Sequence, residues 1–233
     1  MRIDFVSDVA CPWCAVGLNA LERALEKIGD TIPVEIHFQP FELNPTMAAE
    51  GADAGDYLKA KYGMSDAQLA HNRGVIRERG AAVGFAFGDR LRVWNTFDAH
   101  RLLHWAGLQD RASADAAGLQ DWASADAAGL QDIGKQRALK HALLTAYHGQ
   151  GRNPGASDVL VELATAVGLD AAEATAVLAD GRYADEVRAA EQAWQRAGIN
   201  SVPAVVIDQK HLISGGQPPE VFEQALRQVA AGS

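Results

Sequence analysis

The spacing of apolar residues along the chain alternates between strand-like and helix-like stretches. Arg2 to Val6 is a short, mostly apolar run with the length and character of a buried strand. Just downstream, Leu18, Leu21, Leu25 and Ile28 recur at helical spacing and predict a helix with one apolar face. Val34-Glu35-Ile36-His37-Phe38 then alternates apolar and polar residues as a strand does, and Pro40 with Asn44-Pro45 ends it. From about Asp53 to about Gly198 the pattern is helical almost throughout. Its starts include Ser65-Asp66-Ala67-Gln68, spelled as a capping box, and Ser157-Asp158 ahead of Val159, Leu160, Leu163 and Val167. Strand signals return in Ala204-Val205-Val206-Ile207 and His211-Leu212-Ile213-Ser214, and the short polar turn between them predicts a hairpin. Pro218 and Pro219 suit the first turn of a last helix, whose apolar face is Val221, Phe222, Ala225, Leu226 and Val229. The order is therefore β-α-β, a long helical block, and β-β-α.

Composition narrows the classes of function. The chain has 233 residues, 48% of them hydrophobic, enough to bury a substantial core as one large domain or a domain with a sizeable insertion. A formal charge of -9 argues against a nucleic-acid or acidic-membrane partner, since either would need clustered Lys and Arg. No apolar run approaches the roughly 18 residues that read as a membrane-spanning helix. Met1-Arg2-Ile3-Asp4 leads directly into a strand, without the apolar stretch of an export signal, so the expected location is cytoplasmic.

The chemistry is concentrated in Cys11-Pro12-Trp13-Cys14, which holds the only two cysteines of the chain at the junction of the first strand and first helix. A helix N-terminus presents unpaired N–H groups and the positive end of the helix dipole, which favour a thiolate at Cys11. Cys14, a turn further in, is expected to be more buried and less acidic. The pair reads as an attacking and a resolving thiol. A zinc site would need a second pair of ligands, and no other cysteines or compact His-x3-His partner follow. Two purely structural cysteines, or a static disulfide, fit the Pro-Trp spacer and the expected reducing compartment less well.

Three segments carry a resemblance. Phe5 to Cys14, Trp94-Asn95-Thr96-Phe97-Asp98-Ala99-His100-Arg101-Leu102 and Ile199-Asn200-Ser201-Val202-Pro203-Ala204 occur in this order and together resemble the FrnE-like branch of the DsbA family, from residue 2 to about residue 229. The resemblance implies an α/β chain with a thioredoxin fold carrying a large all-helical insertion. Residues 1–52 and 199–233 would form the thioredoxin-like domain and residues 53–198 the helical insertion. It implies a protein disulfide oxidoreductase or isomerase with Cys11 and Cys14 as catalytic residues. Pro12, Trp13, Val202 and Pro203 would bind substrate, with Val202-Pro203 a cis-proline loop facing the cysteines. No metal or other cofactor is implied beyond the redox-active disulfide. The expected partners are protein thiols or disulfides, or glutathione as co-substrate. The branch also resembles 2-hydroxychromene-2-carboxylate isomerases, glutathione-dependent enzymes that typically carry a serine where this chain has Cys11. An isomerase of aromatic small molecules and a noncatalytic partner-binding protein are therefore the alternatives.

The match is interrupted once, by an exact repeat. Ala106-Gly107-Leu108-Gln109-Asp110 recurs at Ala117 to Asp121 and at Ala128 to Asp132, a period of eleven residues. Eleven residues are close to three helical turns, so such a duplication can lengthen a helix while keeping Leu108, Leu119 and Leu130 on one stripe. Slippage at the DNA level accounts for the repeat without a function. His100 and His104 alone are separated like metal ligands on a helix, and they lack an evident third ligand; His100 and Trp105 are expected to serve packing. Asp8 and His37 lie toward the end of the sheet that carries Cys11.

Overall fold

The structure is a computed structural model that describes residues 1–117 and 134–232. Strand β1 (Arg2–Ser7) is followed by α1 (Pro12–Ile28), a 3₁₀ turn at Gly29–Thr31 and β2 (Glu35–Pro40). The central block holds β3 (Ala52–Asp53), α2 (Ala54–Tyr62), α3 (Asp66–Ala82), β4 (Arg92–Val93), α4 (Phe97–Ala116) and α5 (Lys135–Leu144), which runs into a π-helical turn at Thr145–Gly149. Helices α6 (Ser157–Ala166), α7 (Ala171–Asp180) and α8 (Ala184–Arg196) complete it, before β5 (Ala204–Ile207), β6 (His211–Ser214) and α9 (Pro219–Ala231) close the chain.

The main sheet has the order β2-β1-β5-β6. Strands β1 and β2 are parallel, with Ser7 opposite Pro40, while β1 and β5 are antiparallel, with Val6 opposite Ala204. This register places three loops at one end of the sheet: the one leading to Cys11, the one after Pro40 and the one before Ala204. The hairpin expected near the C-terminus is present, with Ala204 opposite Ser214.

Two cores hold this arrangement. Helices α1 and α9 cover one face of the sheet, burying Ile3, Phe5, Leu18, Leu21, Phe222 and Leu226. Each such side chain stabilises by about 1.5–3 kcal/mol relative to exposure. The second core joins α4, α5, α6 and α7 through Leu102, Leu139, Leu143, Leu160 and Val177, and it takes in Val9 and Ala10 from the loop ahead of Cys11. The insertion also gives Val83, Phe85 and Leu144 to the first core. The helical block thus grips the loop that presents the cysteines.

Local expectations meet the structure with some differences. Ser65 and Gln68 form the capping box reciprocally, whereas α6 starts after Ala156 with no side-chain cap at Ser157. The insertion is helical but not purely so, because Ala52-Asp53 pairs with Arg92-Val93 in a two-residue ladder. Strand β2 runs to Pro40 rather than stopping at Phe38, since a proline at the outer edge of a sheet costs no ladder hydrogen bond. Gly107 lies inside α4 despite its poor helix propensity: a Cβ there would come within 2.7 Å of Gln136 Nε2. The repeat from residue 118 to its end, including Leu119 and Leu130, lies outside the described residues.

Candidate active site

Cys11 is the N-cap of α1, in extended backbone conformation, and Pro12 begins the helix. A proline is tolerated there because that N–H would lack an intrahelical partner anyway. Cys11 is 4% exposed and Cys14 is fully buried. Both thiols are unbonded. The Cys11 thiol sits 3.5 Å from the carbonyl oxygen of Val202, in the loop before β5. The Val202–Pro203 peptide bond is cis. Pro203 is buried, while Pro12, Trp13 and Val202 are half-buried around the thiol. Gly17 makes room for this contact: a Cβ there would stand 3.0 Å from Pro203 Cγ. The six residues named from sequence as a site therefore converge, across 191 positions between Cys11 and Val202.

The two thiols are held in different states. Cys14, offering its thiol as a donor, lowers the Cys11 pKa most; burial and the charge of Asp8 push the other way, and the Trp13 and Cys14 backbone N–H groups favour the thiolate. The net direction is down. Burial, the Cys11 thiol and the Cys11 charge together push Cys14 well up. An acidified, slightly exposed thiol beside a fully buried, reluctant one is the asymmetry that attack and resolution require.

Sequence patterning missed the scaffold that fixes the Asp8 to Cys11 loop. Asp8 is fully buried; its Oδ1 accepts from Ala10 N at 3.0 Å and Thr96 Oγ1 at 2.8 Å, and its Oδ2 accepts from Leu43 N at 2.7 Å. His100 Nε2 lies 3.4 Å from Asp8 Oδ1, so this histidine does more than pack. Burial by itself would raise the Asp8 carboxyl, but His100, as hydrogen-bond partner and as charge, and the two backbone N–H groups hold it below the ordinary carboxylate value. From the insertion, Arg90 Nη1 donates to Ala10 O at 3.0 Å and His148 Nε2 to Val9 O at 2.8 Å. The donation to a carbonyl fixes the neutral tautomer of His148, and burial pushes its pKa down to about 3.

Lys140 was also missed. It is 1% exposed, and burial lowers its pKa while the charges of Cys14, Asp8 and Cys11 act in the opposite sense. Its one sequence signal is position: it lies on the same helical stripe as Gln136 and Leu144. Trp105 is buried in the second core, as a packing role requires, and His104 packs against Tyr183 with ring centroids 5.3 Å apart and the rings tilted by 40°. Among the described residues no three His, Cys, Asp or Glu side chains are grouped to hold a metal ion.

Two stretches of the chain, residues 2–119 and 115–227, match the model of the DSBA-like thioredoxin domain family. The chain belongs to this DsbA-like thioredoxin family. The two matched stretches meet inside the eleven-residue repeat, where the family pattern was expected to be interrupted. Among solved structures, the probable DsbA oxidoreductase SCO1869 of Streptomyces coelicolor is 37% identical and superposes with a TM-score of 0.85, covering 100% of this chain and 91% of that one. The Bacillus subtilis protein YwbO is 25% identical over 228 residues, 97% of this chain and 96% of its own. The cytosolic disulfide reductase DsbM of Pseudomonas aeruginosa shares the fold at 17% identity and a TM-score of 0.63, with full coverage of both chains. A 2-hydroxychromene-2-carboxylate isomerase shares it at 15% identity and a TM-score of 0.64, again with full coverage. Among the described residues of this DsbA-like protein, no helix is long and apolar enough to cross a membrane.

Proposed function

We propose that this DsbA-like protein is a thiol-disulfide oxidoreductase that works through its Cys-Pro-Trp-Cys pair on protein or small-molecule disulfides in the cytoplasm, with glutathione as one co-substrate. The observation that carries this reading is the pairing of an acidified Cys11 at the helix start with a buried Cys14 one turn inside. In the reductive direction the Cys11 thiolate attacks one sulfur of a substrate disulfide, and the other substrate sulfur leaves as a thiolate that takes up a proton. Cys14 then loses its proton and attacks Cys11, releasing the second substrate thiol and leaving a Cys11–Cys14 disulfide. Two electrons pass to the substrate. An external thiol restores the dithiol by the same exchange in reverse.

The direction follows from compartment. A reducing glutathione pool keeps a relatively oxidising pair as the dithiol, which favours reductase or isomerase work. The DsbM structure with glutathione, at 18% identity and a TM-score of 0.60, supports no more than compatibility of this fold with that thiol. An isomerase activity on aromatic compounds has only the fold in its favour, and Cys11 occupies the position where those enzymes typically carry serine.

Turnover of insulin disulfides and of glutathione disulfide, with a dithiol as recycling reductant, tests the proposal. Activity on at least one of the two that vanishes in Cys11→Ser is expected. A folded protein inert toward both would overturn it.

A further inference from the structure

A cavity of about 140 Å³ lies between β2 and helices α4, α5 and α8, and the exchange chemistry proposed above makes no use of it. Its lining includes Lys140, Arg111, His37, His100 and His104, and among the described residues no aspartate or glutamate. The chain has 30 acidic and 21 basic residues, so composition alone would not select such a lining. Lys140 decides the chemistry. It is 1% exposed, lines the cavity, and its ammonium has no hydrogen bond or ion pair among the described residues. A buried ammonium without a direct ion pair is costly; the charges of Cys14, Asp8 and Cys11 act on it, but among the described residues the lining offers side chains such as Phe38 and Leu103 and no carboxylate to pair with it.

The acids around the cavity are already committed elsewhere. Asp8 is held by His100, Ala10, Leu43 and Thr96; Glu35 pairs with His37 at 2.7 Å; Asp4 accepts from Arg2 and from Gln39 Nε2. Asp110 accepts the backbone N–H groups of Lys135 and Gln136, and Glu186 acts on His104 from outside the lining. None of them forms a direct ion pair with Lys140, although the charge of Asp8 acts on it.

We propose that this cavity binds a small oxyanion, either an inorganic ion of phosphate or sulfate type or the carboxylate of a short organic acid, with Lys140 as its buried counter-ion and the exposed Arg111 at its mouth. The occupant supplies the direct ion pair that Lys140 lacks among the described residues. The proposal rests on the lining and on a lysine without a direct ion pair among the described residues; because Lys140 also acts on the Cys14 thiol, the test reads anion binding rather than turnover.

The test is thermal unfolding in sodium phosphate, sodium sulfate or sodium acetate, each against sodium chloride at matched ionic strength, with wild type, Lys140→Met and Arg111→Gln. A ligand that binds only the folded state raises the melting temperature with its concentration. Phosphate and sulfate also stabilise proteins generally by exclusion from the surface, and the Lys140→Met protein measures that background. Wild type is expected to gain a further saturable rise of several degrees with at least one anion, which Lys140→Met loses and Arg111→Gln reaches only at several-fold higher concentration. A response to phosphate or sulfate marks an inorganic occupant, and a response to acetate alone marks a carboxylate. An equal rise in Lys140→Met, or no rise beyond chloride in wild type for any of the three, would overturn the proposal. Should Lys140→Met fail to fold, an unchanged concentration dependence in Arg111→Gln overturns it instead.

Discussion

The Cys11 thiol points at the carbonyl oxygen of Val202, 3.5 Å away, so the helix that carries the thiols and the loop before β5 form one surface. The parallel pairing of β1 with β2 and the antiparallel pairing of β1 with β5 bring them to the same end of the sheet. When Cys11 ionises it no longer donates to Val202. Under the proposed exchange, that carbonyl would accept an N–H from an extended substrate strand, and attack and substrate docking would draw on the same pair of atoms.

Cys14→Ala should raise the pKa of Cys11 toward the free thiol value of about 8.5, because the Cys14 thiol is the largest influence holding it down. The pH dependence of Cys11 alkylation by iodoacetamide reads this directly. A midpoint that stays put or falls would remove Cys14 as the cause.

Asp8→Asn should act on stability and on the thiol in opposite directions. An amide replaces one acceptor oxygen of a fully buried carboxylate that serves Ala10, Leu43 and Thr96, so a loss of about 1–3 kcal/mol is expected in urea unfolding. The negative charge of Asp8 raises the Cys11 pKa, so its removal should lower it. A rise on alkylation titration would contradict this. In wild type the depressed Asp8 pKa contributes stability above the unfolded value of about 3.9, and that contribution is lost as pH falls through the folded value.

His148 gives a second acid-sensitive contribution in a higher window. Its folded pKa is about 3, against about 6.5 in the unfolded chain, so between these values the unfolded state binds the extra proton. Stability is complete above about pH 6.5 and falls on acidification at up to about 1.4 kcal/mol per unit from this one group. His148→Gln can still donate to Val9 O and cannot titrate. Its urea midpoint should therefore vary less than the wild-type midpoint between pH 6.5 and pH 4; equal slopes in the two proteins would exclude His148 as the source.

Element order and the cysteine pair at the start of α1 were legible because both are local. Helical spacing in Leu18, Leu21, Leu25 and Ile28 and the turn between Ile207 and His211 are set by neighbours in sequence. The scaffold of the site is not local. Asp8 meets Leu43 across 35 positions, Thr96 across 88 and His100 across 92, and no periodicity encodes those meetings. Strands β3 and β4 are two residues each, too short to alternate. Lys140 reads in sequence as an ordinary helix-surface cation; only packing of α4, α5 and β2 around it makes it a buried charge.

Trapping of the mixed disulfide tests the division of labour between the thiols most directly. Cys14→Ser and Cys11→Ser proteins are each incubated with glutathione disulfide at pH 7, quenched with acid and weighed intact by mass spectrometry. Cys14→Ser is expected to accumulate one glutathione adduct on Cys11, because attack survives and resolution is lost, while Cys11→Ser stays unmodified because its remaining thiol is fully buried and its pKa is pushed well up. An adduct on Cys14 in the Cys11→Ser protein, at equal or greater yield, would contradict the account.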